Sequence, residues 1–316
     1  MESQRKMRRI LAALAAFIAI PVSAQNLLWE VSSLTNKVYL FGTIHAGKLS
    51  WYPLPKAVED ALADSKELVV EADVTDLDAI EKAGGVMAYQ PPDQLKNHVA
   101  AKDYERFLKL LPRYKLPESA AMQMKPLVAT SLLVFAEWAR RGYIPDYGVD
   151  VYLIKKARAE LKPVVELEGT EQQAKLMDSL SDTESRALFA GTIGALESGL
   201  TGEQIDAMVE AWKIGDSRAF LDVSRRYNEN VPGAAEFEDV FVWSRHEAML
   251  KKIQGWLDGS RDHRFIAVGA LHLVGPRGLV EMLKQRGYVV RQVFVAPTSS
   301  GQASPAETSP GEKKNE

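Results

Sequence analysis

The sequence contains no cysteine. Disulfides, thiolate metal ligands and a cysteine nucleophile are thereby excluded, as is a lipid-anchored cysteine behind a signal sequence. An excess of charge of one sign is also missing. The 39 Lys and Arg stand against 42 Asp and Glu, a net −3, so electrostatics give no argument for nucleic acid or an anionic membrane as partner. Beyond the N-terminal segment no apolar run is long enough to span a bilayer. Familiar catalytic signatures are absent too: no Gly-x-Ser-x-Gly elbow, no P-loop, no Gly-x-Gly-x-x-Gly and no His-Glu-x-x-His. Met122, Met124 and the tryptophans have the spacing of core residues, not of a cofactor box.

What is present is an ordinary globular balance. With 316 residues, 46% hydrophobic and 26% charged, the chain can build one large domain or two small ones. Its start has the form of a secretory signal. Arg5, Lys6, Arg8 and Arg9 precede an apolar run over 10–20, and Val22-Ser23-Ala24 supplies small residues before Gln25. Cleavage after Ala24 is expected, leaving an exported protein, most simply periplasmic, with no transmembrane span after cleavage. The domain is expected over 25–296. Residues 297–316 are rich in Pro, Ser, Gly and charge without periodicity, and are expected to be disordered.

One short phrase occurs twice, each time at the end of an apolar strand pattern: Gly42-Thr43-Ile44-His45 and Gly269-Ala270-Leu271-His272. Each copy is followed by a loop, an amphipathic helical pattern and a further apolar run. Two strand–helix–strand units are predicted, most simply parallel with right-handed crossovers. A polar turn between 27–31 and 37–41 predicts a hairpin that delivers the first copy. The fold class is α/β: a mixed central sheet with a large helical insertion over about 76–160 and further helices over about 170–258. Val149, Leu153, Ala157 and Leu161 repeat at four-residue spacing on one helix. Thr170, Ser181 and Thr201 each open a capping-box pattern.

In open α/β sheets, ligands bind beyond the carboxyl ends of the strands. His45, His272 and Glu71 each close a predicted strand there. Two imidazoles and a carboxylate are a common ligand set for a divalent ion that leaves a position open for water. Gly42 and Gly269 would allow a sharp turn or a close approach to a ligand. Glu71 is favoured over Asp73, a cap or turn residue, because it sits inside an apolar strand pattern, where a carboxylate needs a partner or a metal. Its role as ligand or as general base stays open. Glu168 either faces the crevice or is a loop carboxylate or a partner for Arg245. Asp150 reads first as a helix-start residue and second as a site residue. His246 faces either the crevice or solvent, and His98 and His263 read as surface residues.

These residues together resemble the TraB/GumN family. The resemblance is carried by Leu28-Trp29-Glu30-Val31, the two Gly-x-x-His phrases, Val69-Val70-Glu71, Gly148-Val149-Asp150 and Glu168-Gly169-Thr170-Glu171-Gln172-Gln173. The family is similar to the animal TIKI proteins, metal-dependent proteases favouring manganese or cobalt. In fold it is related to erythromycin esterases and haem-binding ChaN-like proteins. The resemblance implies a mixed α/β core, with His45, His272 and Glu71 forming the site. Arg245 matches an arginine that the family usually follows with asparagine; here His246 follows.

The leading expectation is an exported hydrolase, peptidase-like, using water activated by manganese, cobalt or zinc. Arg245 would stabilise the oxyanion, and the substrate would be a peptide or another small molecule. The alternatives are a non-catalytic binding protein for peptide or haem and a partner protein in envelope assembly.

Overall fold

The computed structural model describes residues 25–294; the expected signal segment and the expected tail lie outside them. The chain opens with β1 (Gln25–Ser32) and β2 (Lys37–Thr43), an antiparallel hairpin that pairs Leu28 with Phe41 and Val31 with Val38. Its turn is held by Ser33, whose hydroxyl accepts the N–H groups of Thr35 (3.2 Å) and Asn36 (3.1 Å). Then come α1 (Lys56–Asp64) and β3 (Glu67–Val70). Next the chain runs through α2 (Leu77–Gly84), α3 (Ala101–Leu110), α4 (Pro126–Arg140) and α5 (Val149–Ala159) to β4 (Val164–Glu166). The helices α6 (Thr170–Met177), α7 (Asp182–Ser198), α8 (Leu200–Ile214), α9 (Ser217–Asn230), α10 (Ala234–Phe241) and α11 (His246–Gly259) follow. The chain closes with β5 (Arg264–Gly269), α12 (Leu279–Gln285) and β6 (Val289–Phe294).

The six strands form one mixed sheet in the order β4-β3-β5-β2-β1-β6. The pairs β4–β3, β3–β5 and β5–β2 are parallel, and β1 is antiparallel to both β2 and β6. All strands but β1 therefore point the same way, and the carboxyl ends of β2, β3, β4 and β5 share one edge. Covered strands lose the polar alternation of an exposed sheet: Val38 through Thr43 and Arg264 through Val268 are all buried, whereas edge strand β6 is half exposed. Helices α1, α5 and α11 bury Val58 and Leu62, Leu153 and Ile154, and Leu250 and Ile253 in the core that includes the sheet. A second core, with Phe107, Leu133, Phe189 and Ile193, joins α3, α4 and α7.

Each strand that delivers a Gly-x-x-His leads through a helix to a strand running in its own direction, but neither pair is adjacent. β5 lies between β2 and β3, while β2 and β1 lie between β5 and β6. Three local expectations are corrected. Leu161 is 92% exposed, because α5 stops at Ala159 and the chain turns at Leu161 with φ of 56°. Of the three capping boxes only Ser181 closes, its hydroxyl accepting the Glu184 N–H while Glu184 reaches back. Helices α6 and α8 instead start from Gly169 (φ 96°) and Gly199 (φ 87°), which puts Thr170 and Thr201 inside the helices rather than at their caps. Glu71 is the first residue after β3, not a residue inside it.

Candidate functional site

His45 sits two residues past β2. Its loop is fixed by backbone pairing: Val149 N–H donates to the Ile44 carbonyl (3.0 Å), while Gly47 and Ile144 exchange bonds of 3.0 and 2.8 Å. Asp150, in the first turn of α5, stands 2.7 Å from His45 Nδ1 through Oδ2 and accepts the Thr43 hydroxyl at 2.5 Å through Oδ1. The carboxylate keeps a proton on Nδ1. The His45 side chain is 58% exposed, and its Nε2 has no hydrogen-bond partner among the described residues. Asp150 pushes the imidazole up to about 9, with Glu71 acting in the same sense and Arg245 against it. Asp150 is thus both a helix-start residue and the partner that orients His45.

Glu71 is anchored from several sides. Oε1 accepts the Gly269 N–H at 2.6 Å, and Oε2 accepts from Gln173 Nε2 (3.2 Å) and from Arg245 Nη2. Burial alone would raise its pKa, but the adjoining His272 ring and the charges of Arg245 and His45 outweigh it and hold the carboxyl well below the usual range. Asp73 forms a turn instead, accepting from Thr75 N–H (3.0 Å) and hydroxyl (2.7 Å) and pairing with Arg158. It plays the bland part expected of it.

His272 is buried on the short turn Ala270–His272 that follows β5. Arginine has only donors, so His272 Nε2 accepts from Arg245 Nη1 at 3.1 Å. In the neutral ring that leaves the proton on Nδ1, donated 2.9 Å to His246 Nε2; His246 Nδ1 in turn donates to the Arg277 carbonyl at 2.7 Å. His246 is buried, and burial first, with His272, Arg245 and Arg277 in the same sense, lowers it to about 4. A neutral His246 suits this chain of bonds. Of the two orientations open in the sequence, the structure takes the inward one.

Arg245 is 8% exposed. Nε lies 3.0 Å from both Glu168 oxygens, Nη1 donates to the Phe241 carbonyl (2.7 Å) and to His272, and Nη2 donates to Glu71 and Glu168. All five N–H donors of the guanidinium are committed. Glu168 is accordingly the partner of Arg245. His263 pairs with Asp64 (3.0 Å) and His98 with Asp93 (2.8 Å), both outside this cluster.

The two glycines matter for space, since neither has a positive φ. A Cβ on Gly42 would fall 3.1 Å from Ala270, on the turn that carries His272. A Cβ on Gly269 would lie 3.3 Å from Glu71 Oε1 and 3.6 Å from both His45 Nε2 and His272 Cδ2. Three of the expected site residues therefore face one small space beside Gly269. Their donor chemistry fits a divalent ion, and both imidazoles have Nδ1 held from behind, as ligating histidines do. Yet among the described residues no three His, Asp or Glu side chains stand as a gathered metal-ligand set. Arg245 draws His272 Nε2 and Glu71 Oε2 to itself.

Sequence reasoning placed His45, Glu71, His272, Arg245, Asp150 and Glu168 among its candidates, and all six meet here. Thr43 and Gln173 went unrecognised although each lies within a quoted phrase, because nothing local distinguishes their polar groups from surface ones.

The TraB/PrgY/gumN family pattern matches residues 27–292. The metalloprotease TIKI homolog of the sponge Amphimedon queenslandica is 23% identical over 324 residues, covering 88% of this chain and 63% of its own length. Metalloprotease TIKI2 of Xenopus tropicalis is 24% identical, covering 88% of this chain and 62% of its own. The uncharacterized protein YbaP of Escherichia coli K12 is 26% identical over 78% of this chain and 87% of its own length. The chain thus spans about three fifths of the TIKI relatives it matches, 63% and 62%.

Proposed function

The chain belongs to the TraB/PrgY/gumN family, and from that premise we propose that it is an exported, metal-dependent hydrolase acting on a peptide bond. The observation that carries the reading is the convergence of His45 Nε2, Glu71 Oε1 and the His272 ring on the space beside Gly269. The relatives named metalloproteases support the reaction class. The basic and apolar start of the sequence supports export.

In this reading His45, His272 and Glu71 hold a manganese, cobalt or zinc ion. Such an ion supplies a bound water of lowered pKa. Asp150 holds His45 by Nδ1 and His246 holds His272 by Nδ1, which leaves Nε2 of each ring as the nitrogen that would ligate. Glu71, kept anionic well below the usual range, suits a ligand better than a general base, which works best with a pKa near the operating pH. Arg245, with its donors committed, positions Glu71 and His272 rather than meeting an oxyanion. The exposed His45 side chain leaves that side of the site open to an incoming peptide. A metal-free route with His45 as base is disfavoured, because an imidazole pushed up to about 9 carries two protons at neutral pH.

The test is metal content and affinity of the protein purified without chelator, set against the His45→Ala/His272→Ala variant. About one equivalent of manganese, cobalt or zinc that is lost in the folded variant, with metal-dependent cleavage of a peptide library, is the expected result. Equal binding by both proteins, or none by either, would remove the metal mechanism and leave a binding protein for peptide or haem as the better account.

A further inference from the structure

We propose that Arg245 is a resident counter-cation that a divalent ion must displace, so that this one side chain sets the metal affinity of the site. The proposal rests on the metal-dependent reading above and goes beyond it to how that site is regulated.

An unprotonated imidazole nitrogen offers one lone pair. His272 Nε2 gives its lone pair to Arg245 Nη1 at 3.1 Å, and Nδ1 is engaged with His246 at 2.9 Å. His272 can therefore ligate an ion through Nε2 only after Arg245 lets go. Glu71 is in a similar position, since Oε2 is bound by Arg245 Nη2. Of the three candidate ligands only His45 has its Nε2 unengaged among the described residues. This accounts for residues of the right type facing one space without forming a metal-ligand set.

The displacement has a short path. Arg245 is gripped on its far side by Glu168 through Nε and Nη2, and Nη1 also reaches the Phe241 carbonyl at 2.7 Å. Releasing His272 and Glu71 gives up two bonds and leaves the guanidinium beside Glu168. The metal-free site thus keeps its buried Glu71 compensated by Arg245, and the metal-loaded site would compensate it with the ion. The two cations are alternative occupants of one set of acceptors.

The test is calorimetric titration of the full chain with manganese and zinc, comparing the wild type with Arg245→Lys and Arg245→Gln. Lysine keeps the charge but cannot hold His272, Glu71 and Glu168 at once. It thereby separates loss of the hydrogen bond from loss of charge. A charge-assisted bond given up on metal binding predicts about tenfold tighter binding or more in Arg245→Lys, and at least as tight in Arg245→Gln. Both gains should vanish when His272→Ala is added. Folded variants that bind as the wild type does, or more weakly, would overturn the proposal while leaving the metal reading intact. No binding by any of the proteins would overturn both. Binding by both Arg245 variants where the wild type shows none would support the proposal.

If the variants do not fold, nitrogen-15 spectra of the wild type decide. Zinc should move His272 Nε2 from an acceptor shift to a ligated one and release the slowly exchanging Arg245 N–H signals. Arg245 signals unchanged at saturating zinc would overturn the proposal.

Discussion

A methyl group at position 269 would stand 3.3 Å from Glu71 Oε1 and 3.6 Å from His45 Nε2. It would fill the space on which the candidate ligands converge. Gly269→Ala is therefore expected to abolish specific manganese or zinc binding while the melting temperature stays within a few degrees of wild type. Titration and a thermal melt check this, and full affinity in the variant would place the ion elsewhere. Asp150 tests the layer behind the ligands. It holds His45 by Nδ1 and is itself held by Thr43. Orienting partners of this kind are worth about ten- to a hundredfold in metal affinity. Asp150→Asn should weaken binding by that factor with the fold retained, and unchanged affinity would remove Asp150 from the site. At this scale the sequence named the residues and one pairing, Glu168 with Arg245, but not the other partners. The phrase Gly148-Val149-Asp150 marked a helix start correctly. That its carboxylate meets a histidine 105 positions earlier depends on where α5 docks.

At the scale of elements, α7 begins with a closed capping box, Ser181 with Glu184. Ser181→Ala should cost about 1 kcal/mol in denaturant unfolding, and a loss of only a few tenths would mean the box contributes little. The clearest acid-sensitive element is α4. Its Glu137 side chain is 1% exposed and accepts from Arg140 (2.8 and 2.7 Å), Arg141 (3.1 Å) and Tyr114 (3.0 Å). Burial pulls its pKa upward, but the Arg140 and Tyr114 hydrogen bonds and the Arg140 charge prevail and hold it at about 2 against an ordinary 4.5. The unfolded chain therefore takes up the Glu137 proton first as pH falls. The stabilisation is complete above about 4.5 and is lost on the way down through about 2. Denaturant melts of wild type and Glu137→Gln between those limits should converge as pH falls; a constant difference would show that Glu137 does not titrate there. The periodicity that marked helices in the sequence reported which faces are buried. It did not report that Tyr114, from the turn after α3, would meet the same carboxylate as the neighbouring Arg140 and Arg141, because that contact depends on how the two elements dock.

At the scale of the whole molecule, β6 closes one side of the sheet by pairing with β1, and Gln292 Nε2 bonds the Asn26 carbonyl at 2.9 Å. Ending the chain before Val289 would strip that pairing and leave β1 as a bare edge, a template for association. The shortened chain is expected to melt lower and scatter light at moderate concentration; an unchanged melt would mean β6 is dispensable. The sequence by itself determined the local pieces. Apolar runs with buried-strand composition, the hairpin turn at Ser33 and the repeated Gly-x-x-His are properties of neighbouring residues, and they were readable as such. The tertiary structure alone decided how those pieces interleave. β5, delivered last but one among the strands, inserts between β3 and β2, so that Thr43 pairs with Gly269 and the two motifs become neighbours. Strand order depends on which long-range pairings bury the most apolar surface, and no local pattern encodes that competition. The same packing turned His246 inward and set Arg245 between His272 and the carboxylates of Glu71 and Glu168.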